Sequence, residues 1–451
     1  MICFWAFSLS STLYAVDLSD VTQKPDQMFF NELVARLGCE KASDVVAMPK
    51  GGYKNFLETL EKMKAAGLAR AGRSDRLSSW TKMNKRELFD LTAIKQQCPA
   101  NQNQRGMADG LTDLLALAPE GITILSFGGF GSHRVAEGAI SRALATWELL
   151  KPELISSGKI RLQRIECSSS YSPDETFCAK DMLATIVRLD SQSPNPGRHK
   201  YVLWGYSKGG TTAIEMLRID TALRERTLAV ISAGSPMQGS MVMDSLSPAI
   251  ENAGVAGDLS AGANAARGLA ILPLIQLWTN DGQATVQETL DSFPMFRAGA
   301  QSMTESERAR YIAQNFSRGQ FLRAGGSKIP VFQIAGLVDP ERLKPVSVLT
   351  VRNGKLVPVE ASSKNLDKSL LAGLLTSGKH PMSDACVALE EALLPESSAR
   401  GAGLDPHFLA FLRRDHLSLH FRGSNAEPAK NAVDHAIIDS ALSTIARRIM
   451  P

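Results

Sequence analysis

Tyr201-Val202-Leu203-Trp204-Gly205-Tyr206-Ser207-Lys208-Gly209-Gly210-Thr211-Thr212-Ala213-Ile214-Glu215-Met216-Leu217 is the stretch that decides how this chain is read. Four apolar, β-prone residues run into a G-x-S-x-G turn, and the turn opens into a helical pattern. A bend of this kind holds its serine at backbone angles that L-residues avoid, with the hydroxyl at the crest of the strand. Small residues at the two glycine positions let the turn pack. The helix that follows presents its positive end to the serine and favours negative charge there. Ser207 is therefore the candidate nucleophile.

The same alternation extends outward on both sides. Ile122-Thr123-Ile124-Leu125-Ser126-Phe127 reads as a strand ending in Gly128-Gly129-Phe130-Gly131, with a helical pattern to about Leu150. Arg161 to Cys167 reads as a second strand, and Ser172-Pro173-Asp174-Glu175 opens a helix with proline at its first position. His199 to Trp204 and Leu228 to Ala233 are further strands, with a helix over Gly209 to Ile219 between them. Strands alternating with helices of this length imply right-handed crossovers and a parallel sheet. Ile329 to Ala335 resumes the sheet, and Asn353-Gly354 between two apolar runs signals a hairpin. Residues 236–325 carry helical patterns and apolar runs such as Leu269-Ala270-Ile271-Leu272 without a clear strand, which suits an insertion capping the sheet. Residues from about 20 to 117 read as helical, with the apolar spacing of Tyr53 to Met63 as the example, and offer no chemical motif.

Composition bounds the function. The chain has 451 residues, 44% hydrophobic and 21% charged, which is ordinary for a globular protein with a sizeable core. A scattered balance of 50 Lys+Arg against 46 Asp+Glu gives +4, so no concentrated basic face asks for a nucleic acid. Met1 to Ala15 is apolar or small with no charge before Asp17, too short to span a bilayer but fitting a secretory leader. Export would permit disulfides. Among Cys3, Cys39, Cys98, Cys167, Cys178 and Cys386 the pairings expected are Cys167 with Cys178 and Cys39 with Cys98.

Acyl transfer at a serine needs a base, an acid to orient it, and donors for an oxyanion. The N–H of Lys208 is one donor expected, and the loop after the earlier strand supplies the other, with Phe130 favoured and Gly129 its neighbour. Behind Ser207 come five histidines, at 380, 407, 416, 420 and 435, of which His416 lies best placed near the end of the sheet-forming region. Asp384 and Asp339 both follow a plausible strand, and position does not choose between them. Metal and phosphate patterns fail: Leu417 occupies the glutamate position between His416 and His420, and His380 replaces the Ser or Thr of a near Walker A at 373–380. In the glycine loop Arg134 stands where a dinucleotide fingerprint needs its third glycine.

With these residues in place, the region from about 120 to 422 resembles the alpha/beta-hydrolase superfamily, and within it the secreted bacterial lipase-like members. Gly234-Ser235-Pro236-Met237-Gln238-Gly239-Ser240 looks like the segment after a central strand in those lipases, and Ala300 to Tyr311 looks like their lid helix. Ser383-Asp384-Ala385-Cys386-Val387 is similar to their N-D-G-x-V motif and Asp415-His416-Leu417-Ser418 to their [DN]-H-L-D motif. The resemblance implies Ser207, Asp384 and His416 as the catalytic set, with Asp339 the reserve acid. Ala385 departs from the glycine of the first motif. Ser418 stands where calcium-binding relatives carry aspartate, so no metal is implied, nor any cofactor.

The expectation is an α/β protein with an alpha/beta-hydrolase fold: a mostly parallel central sheet with helices on both faces. A leader over 1–16 and a helical N-terminal extension over 17–119 precede the core at 120–235 and 326–451, with a helical cap over 236–325. The activity expected is hydrolysis of acyl esters or lipids, with transient contact at a lipid interface and no membrane span. The alternatives are an acyltransferase or thioesterase on the same residues, and a non-catalytic binding protein of the same fold.

Overall fold

The computed structural model describes residues 24–50, 105–129, 147–148, 150–165, 175–191, 197–240, 243–244, 299–337, 347–352, 355–360, 384, 386–414, 416, 419 and 428–449, with 53, 56, 58, 59, 62 and 98 besides. Its strands are β1 (Val46–Ala47), β2 (Ile122–Phe127), β3 (Ile160–Ile165), β4 (Lys200–Tyr206), β5 (Thr227–Ala233), β6 (Ile329–Gly336), β7 (Ser347–Arg352), β8 (Lys355–Glu360) and β9 (Leu404–Leu412). Helices α1 (Pro25–Leu37), α2 (Cys39–Val45), α3 (Asp109–Leu117), α4 (Pro152–Ser156) and α5 (Glu175–Ser191) lie on the N-terminal side of the serine turn. After it come α6 (Lys208–Ile219), α7 (Thr221–Arg226), α8 (Glu305–Asn315), α9 (Glu396–Ala402) and α10 (Pro428–Ile449).

Seven strands form one sheet in the order β1-β9-β6-β5-β4-β2-β3, parallel throughout except for β1. Residue alternation sends the two faces of each strand into two cores. Ile122, Ile124, Val202, Trp204 and Ile231 pack with Leu33 of α1, Leu114 of α3 and Ile437 of α10 on one side. Leu125, Phe127, Leu203 and Val230 pack with Met182 of α5, Ile214 of α6 and Ala402 of α9 on the other. Covered on both faces, β5 is buried at every position, which is why its sequence shows no polar–apolar alternation and carries only two small polar residues, Thr227 and Ser232, beside the run Leu228 to Ile231.

The segment expected as a helical extension supplies α1 to α3 and, in addition, a strand. β1 pairs antiparallel with the end of β9, Val46 opposite Leu412 and Ala47 opposite Phe411. α1 begins at Pro25 and ends before Gly38, and its Phe29, Phe30, Leu33 and Val34 enter the first core, so this segment and the sheet share one interior. Arg36 is completely buried between Glu32 of its own helix and Asp439 of α10. β9 was not foreseen. Pro406 interrupts its pattern, yet it sits on the stretch of β9 that β1 does not reach, where a missing N–H costs no ladder bond.

The hairpin at Asn353-Gly354 forms as β7 and β8, closing on the pair Arg352 and Lys355, while its two turn residues lie outside the described residues. Of the cap, 241–242 and 245–298 also lie outside them, as does the near Walker A. Ala300 to Tyr311, the stretch likened to a lid helix, contributes α8, which lies against the core: the Arg308 Nε donates to the Met237 carbonyl and the Tyr311 hydroxyl donates to Glu215 of α6. Cys39 and Cys98 form a disulfide, their Cα atoms 6.0 Å apart. Cys178 is also disulfide-bonded, with the expected partner Cys167 outside the described residues, and Cys386 keeps its thiol.

Candidate active site

β4 delivers the chain to Ser207 and α6 takes it away at Lys208. Between them Ser207 sits at φ 51°, ψ −130°, the one non-glycine residue with positive φ among the described residues. The strain is held by what surrounds it. The Ser207 N–H donates to the Ala233 carbonyl of β5 at 3.0 Å. A Cβ on Gly205 would fall 2.3 Å from the Gly210 Cα, and one on Gly209 would fall 2.3 Å from the Phe127 carbonyl oxygen. The two motif glycines are thus the places where β4, α6 and the end of β2 touch backbone to backbone.

Two loops carry the other groups to the serine. The turn after β9 places the His416 Nε2 2.9 Å from the Ser207 Oγ, and the Asp384 Oδ2 lies 2.7 Å from the His416 Nδ1. A carboxylate against Nδ1 fixes the proton there and leaves Nε2 to accept from the serine hydroxyl. The second oxygen of Asp384 is occupied as well: Oδ1 accepts the N–H of Cys386 at 2.9 Å and of Val387 at 2.7 Å. Backbone ties the two loops together, since the His416 N–H donates to the Asp384 carbonyl at 2.8 Å. Room for this pair comes from Gly234 at φ 58°, where a Cβ would stand 2.6 Å from Leu419 and 3.2 Å from the Asp384 Oδ2. Exposure is 7% at Ser207, 5% at His416 and 1% at Asp384, so water reaches the acid least and competes least for its hydrogen bonds.

The sequence-predicted residues therefore divide. Ser207, Asp384 and His416 are brought together, with Asp384 in contact with the imidazole; the other candidate acid, Asp339, lies outside the described residues. Lys208 is the first residue of α6, buried, with its carbonyl accepting the hydroxyls of Thr211 and Thr212. Phe130 lies outside the described residues, but its neighbour Gly129 runs directly over the serine, where a Cβ would meet the Ser207 Cβ at 2.9 Å. Sequence reasoning passed over Tyr206, whose hydroxyl donates to the His416 carbonyl at 2.9 Å. The motif leaves that position free, so it gave no signal. It also passed over Arg414, whose guanidinium is 2.5 Å from Asp434 of α10 two residues before the histidine.

No group of three or more His, Cys, Asp or Glu side chains that would hold a metal occurs among the described residues. No helix among them is long and apolar enough to cross a membrane. A cavity of about 390 Å³ lined by Thr123, Arg161, Asp190, His199 and Tyr201 opens at the opposite end of the strands from Ser207 and has no part in this arrangement.

The parallel sheet with helices on both faces, and the strained serine between β4 and α6, define an alpha/beta-hydrolase-like fold. No family model matches the chain, and no curated protein matches it. Among solved structures it is similar to a metagenomic carboxyl esterase, MGS0156, at 14% identity and a TM-score of 0.40, over 74% of this chain and 76% of that one. It is similar also to the Bacillus licheniformis lipase BlEst2 in mature form, at 16% identity and 0.34, over 67% and 87%. A third likeness is to the Tle4–Tli4 complex, at 13% and 0.27, over 65% and 71%.

Proposed function

We propose that this chain is a serine carboxylic-ester hydrolase that works through an acyl-enzyme on Ser207. The observation that carries the reading is the unbroken line of hydrogen bonds from the Ser207 Oγ through both nitrogens of His416 to Asp384, built on a strained bend. A serine hydroxyl is a weak nucleophile until a base takes its proton. As the Oγ–carbon bond forms at the ester carbonyl, the proton passes to the His416 Nε2, and the Asp384 carboxylate stabilises the resulting imidazolium. The imidazolium returns that proton to the leaving alcohol oxygen as the carbon–oxygen ester bond breaks. Water then enters by the same path and releases the acid.

The oxyanion of each tetrahedral intermediate needs two donors. The Lys208 N–H at the head of α6 and the Phe130 N–H in the glycine loop are assigned to it, each worth about 3–4 kcal/mol where such donors have been removed in other enzymes. The substrate is proposed to be an acyl ester or lipid, a reading supported by apolar runs such as Leu269-Ala270-Ile271-Leu272 in the sequence between β5 and β6. The protein is proposed to be exported, a reading supported by the apolar N-terminus and the Cys39–Cys98 bridge. Turnover of p-nitrophenyl esters of graded acyl length by the wild type and by Ser207→Ala tests the activity. Length-dependent hydrolysis that disappears in Ser207→Ala is expected; equal rates in the two proteins would end the proposal.

A further inference from the structure

We infer that Tyr206 is a positioning residue that holds the imidazole of His416 over the serine, so that the free position of the G-x-S-x-G turn is part of the site. The inference rests on Ser207 and His416 acting as nucleophile and base. Three observations converge on this side chain. Its hydroxyl donates to the main-chain carbonyl of His416 at 2.9 Å. Its ring stands 5.3 Å from the imidazole, centroid to centroid, tilted by 37°. Its ring edge also lies against the glycine loop, where a Cβ on Gly129 would meet Cε1 at 3.0 Å and Cδ1 at 3.1 Å.

The geometry explains why this residue sits there. His416 follows β9 on a turn, and its side chain must meet an oxygen presented by a different strand. Its N–H is held by the Asp384 carbonyl, which fixes the peptide plane on the N-terminal side of the residue. Its carbonyl, in the peptide plane on the C-terminal side, accepts the Leu419 N–H at 3.2 Å within its own turn, and the Tyr206 hydroxyl reaches it from the sheet. Tyr206 immediately precedes Ser207, so one rigid bend carries both the nucleophile and the group that sets the height of its base. A near-attack geometry tolerates little error, and a hydrogen bond to backbone limits the rocking of the ring in a way that packing alone does not. Contact with Gly129 adds the loop assigned to the oxyanion, so a single phenol touches both halves of the machinery. Phenylalanine at this position would keep the ring contacts and lose the hydroxyl; leucine would lose both.

The test compares Tyr206→Phe and Tyr206→Leu with the wild type on a p-nitrophenyl ester, with active sites counted by a fluorophosphonate. Loss of one positioning hydrogen bond predicts a kcat per active site about tenfold lower in Tyr206→Phe, with KM within about twofold and the titre unchanged. Tyr206→Leu falls further. In a Ser207→Ala background, where activity plays no part, the low-field proton resonance of the His416–Asp384 hydrogen bond should move or broaden on adding Tyr206→Phe. Wild-type kcat together with an unmoved resonance in Tyr206→Phe, or a loss seen only as a reduced titre, would overturn the inference. A wild-type protein that takes up no phosphonate would instead overturn the reading of Ser207 on which it rests.

Discussion

Asp384 is almost without solvent, and each of its oxygens is claimed: one by the His416 Nδ1, the other by two backbone N–H groups. Asparagine there would present an amide to Nδ1 and turn the ring toward the wrong tautomer. Asp384→Asn should therefore lower kcat by about 10⁴-fold with the fold retained, while Asp339→Asn stays within about twofold. Parallel kcat measurements and circular dichroism on the two variants check it. Gly205 is a second residue-scale case, because any Cβ there would stand 2.3 Å from the Gly210 Cα. Gly205→Ala should cost about 1–3 kcal/mol in urea unfolding as well as turnover. Gly205 and the serine it flanks were legible in the sequence because chemistry restricts them, few residue types suiting a Cβ-free contact or a proposed nucleophile, whereas Asp384 stood level with Asp339 by position and was singled out only by its motif resemblance. Tyr206 and Arg414 were not legible, since each acts through backbone or a distant helix and any polar residue of the right length would have looked equally plausible.

At the scale of elements, the parallel strands announced themselves by apolar runs between helical patterns, and β2 to β6 lie within a residue or two of where those runs predicted them, as does the β7–β8 hairpin. β1 and β9 did not. β1 is two residues long, below any period, and β9 contains a proline that speaks against a strand until one sees that β1 covers only its far end. The contact of α1 with α10 was equally hidden, because it depends on charge buried by residues about four hundred positions apart. Arg36 donates to Asp439 at 2.8 Å through Nε and to Ser443 at 2.8 Å, and the Gly110 N–H donates to both oxygens of Asp439. Arg36→Met would leave that carboxylate buried without its cation, an expected loss of about 3–5 kcal/mol measured by urea unfolding. Burial also pushes the Asp439 carboxyl up from 3.8 to about 6, with Arg36 and the Gly110 N–H opposing. Between those values the folded chain keeps a proton that the unfolded chain has lost. The stabilising contribution of this proton is complete below about pH 4 and is lost as pH rises through about 6. Unfolding curves at pH 4 and pH 7 should show that slope in the wild type and not in Asp439→Asn.

Across the whole molecule, the sheet brings residues from three distant regions of the chain to one end, and the N-terminal segment closes the edge beside the last of them. The Val45 carbonyl accepts the Arg413 N–H at 2.8 Å, three residues before His416, and Tyr53 stacks on Phe408 at 4.6 Å. Val45 and Tyr53, in a stretch that carried no motif, are therefore part of what steadies the strand before the histidine. Alkylation of the denatured, unreduced protein followed by peptide mapping should modify Cys386 and leave Cys39, Cys98 and Cys178 unmodified until reductant is added. If the apolar segment between β5 and β6 receives acyl chains, rates on emulsified esters should exceed those on the same esters below their solubility limit. The most direct measurement of the central claim is covalent labelling with an organophosphonate, located by peptide mass. The account predicts one adduct, on the peptide containing Ser207, formed by the wild type and absent from Ser207→Ala; an adduct that persists in that variant, or none in the folded wild type, would contradict it.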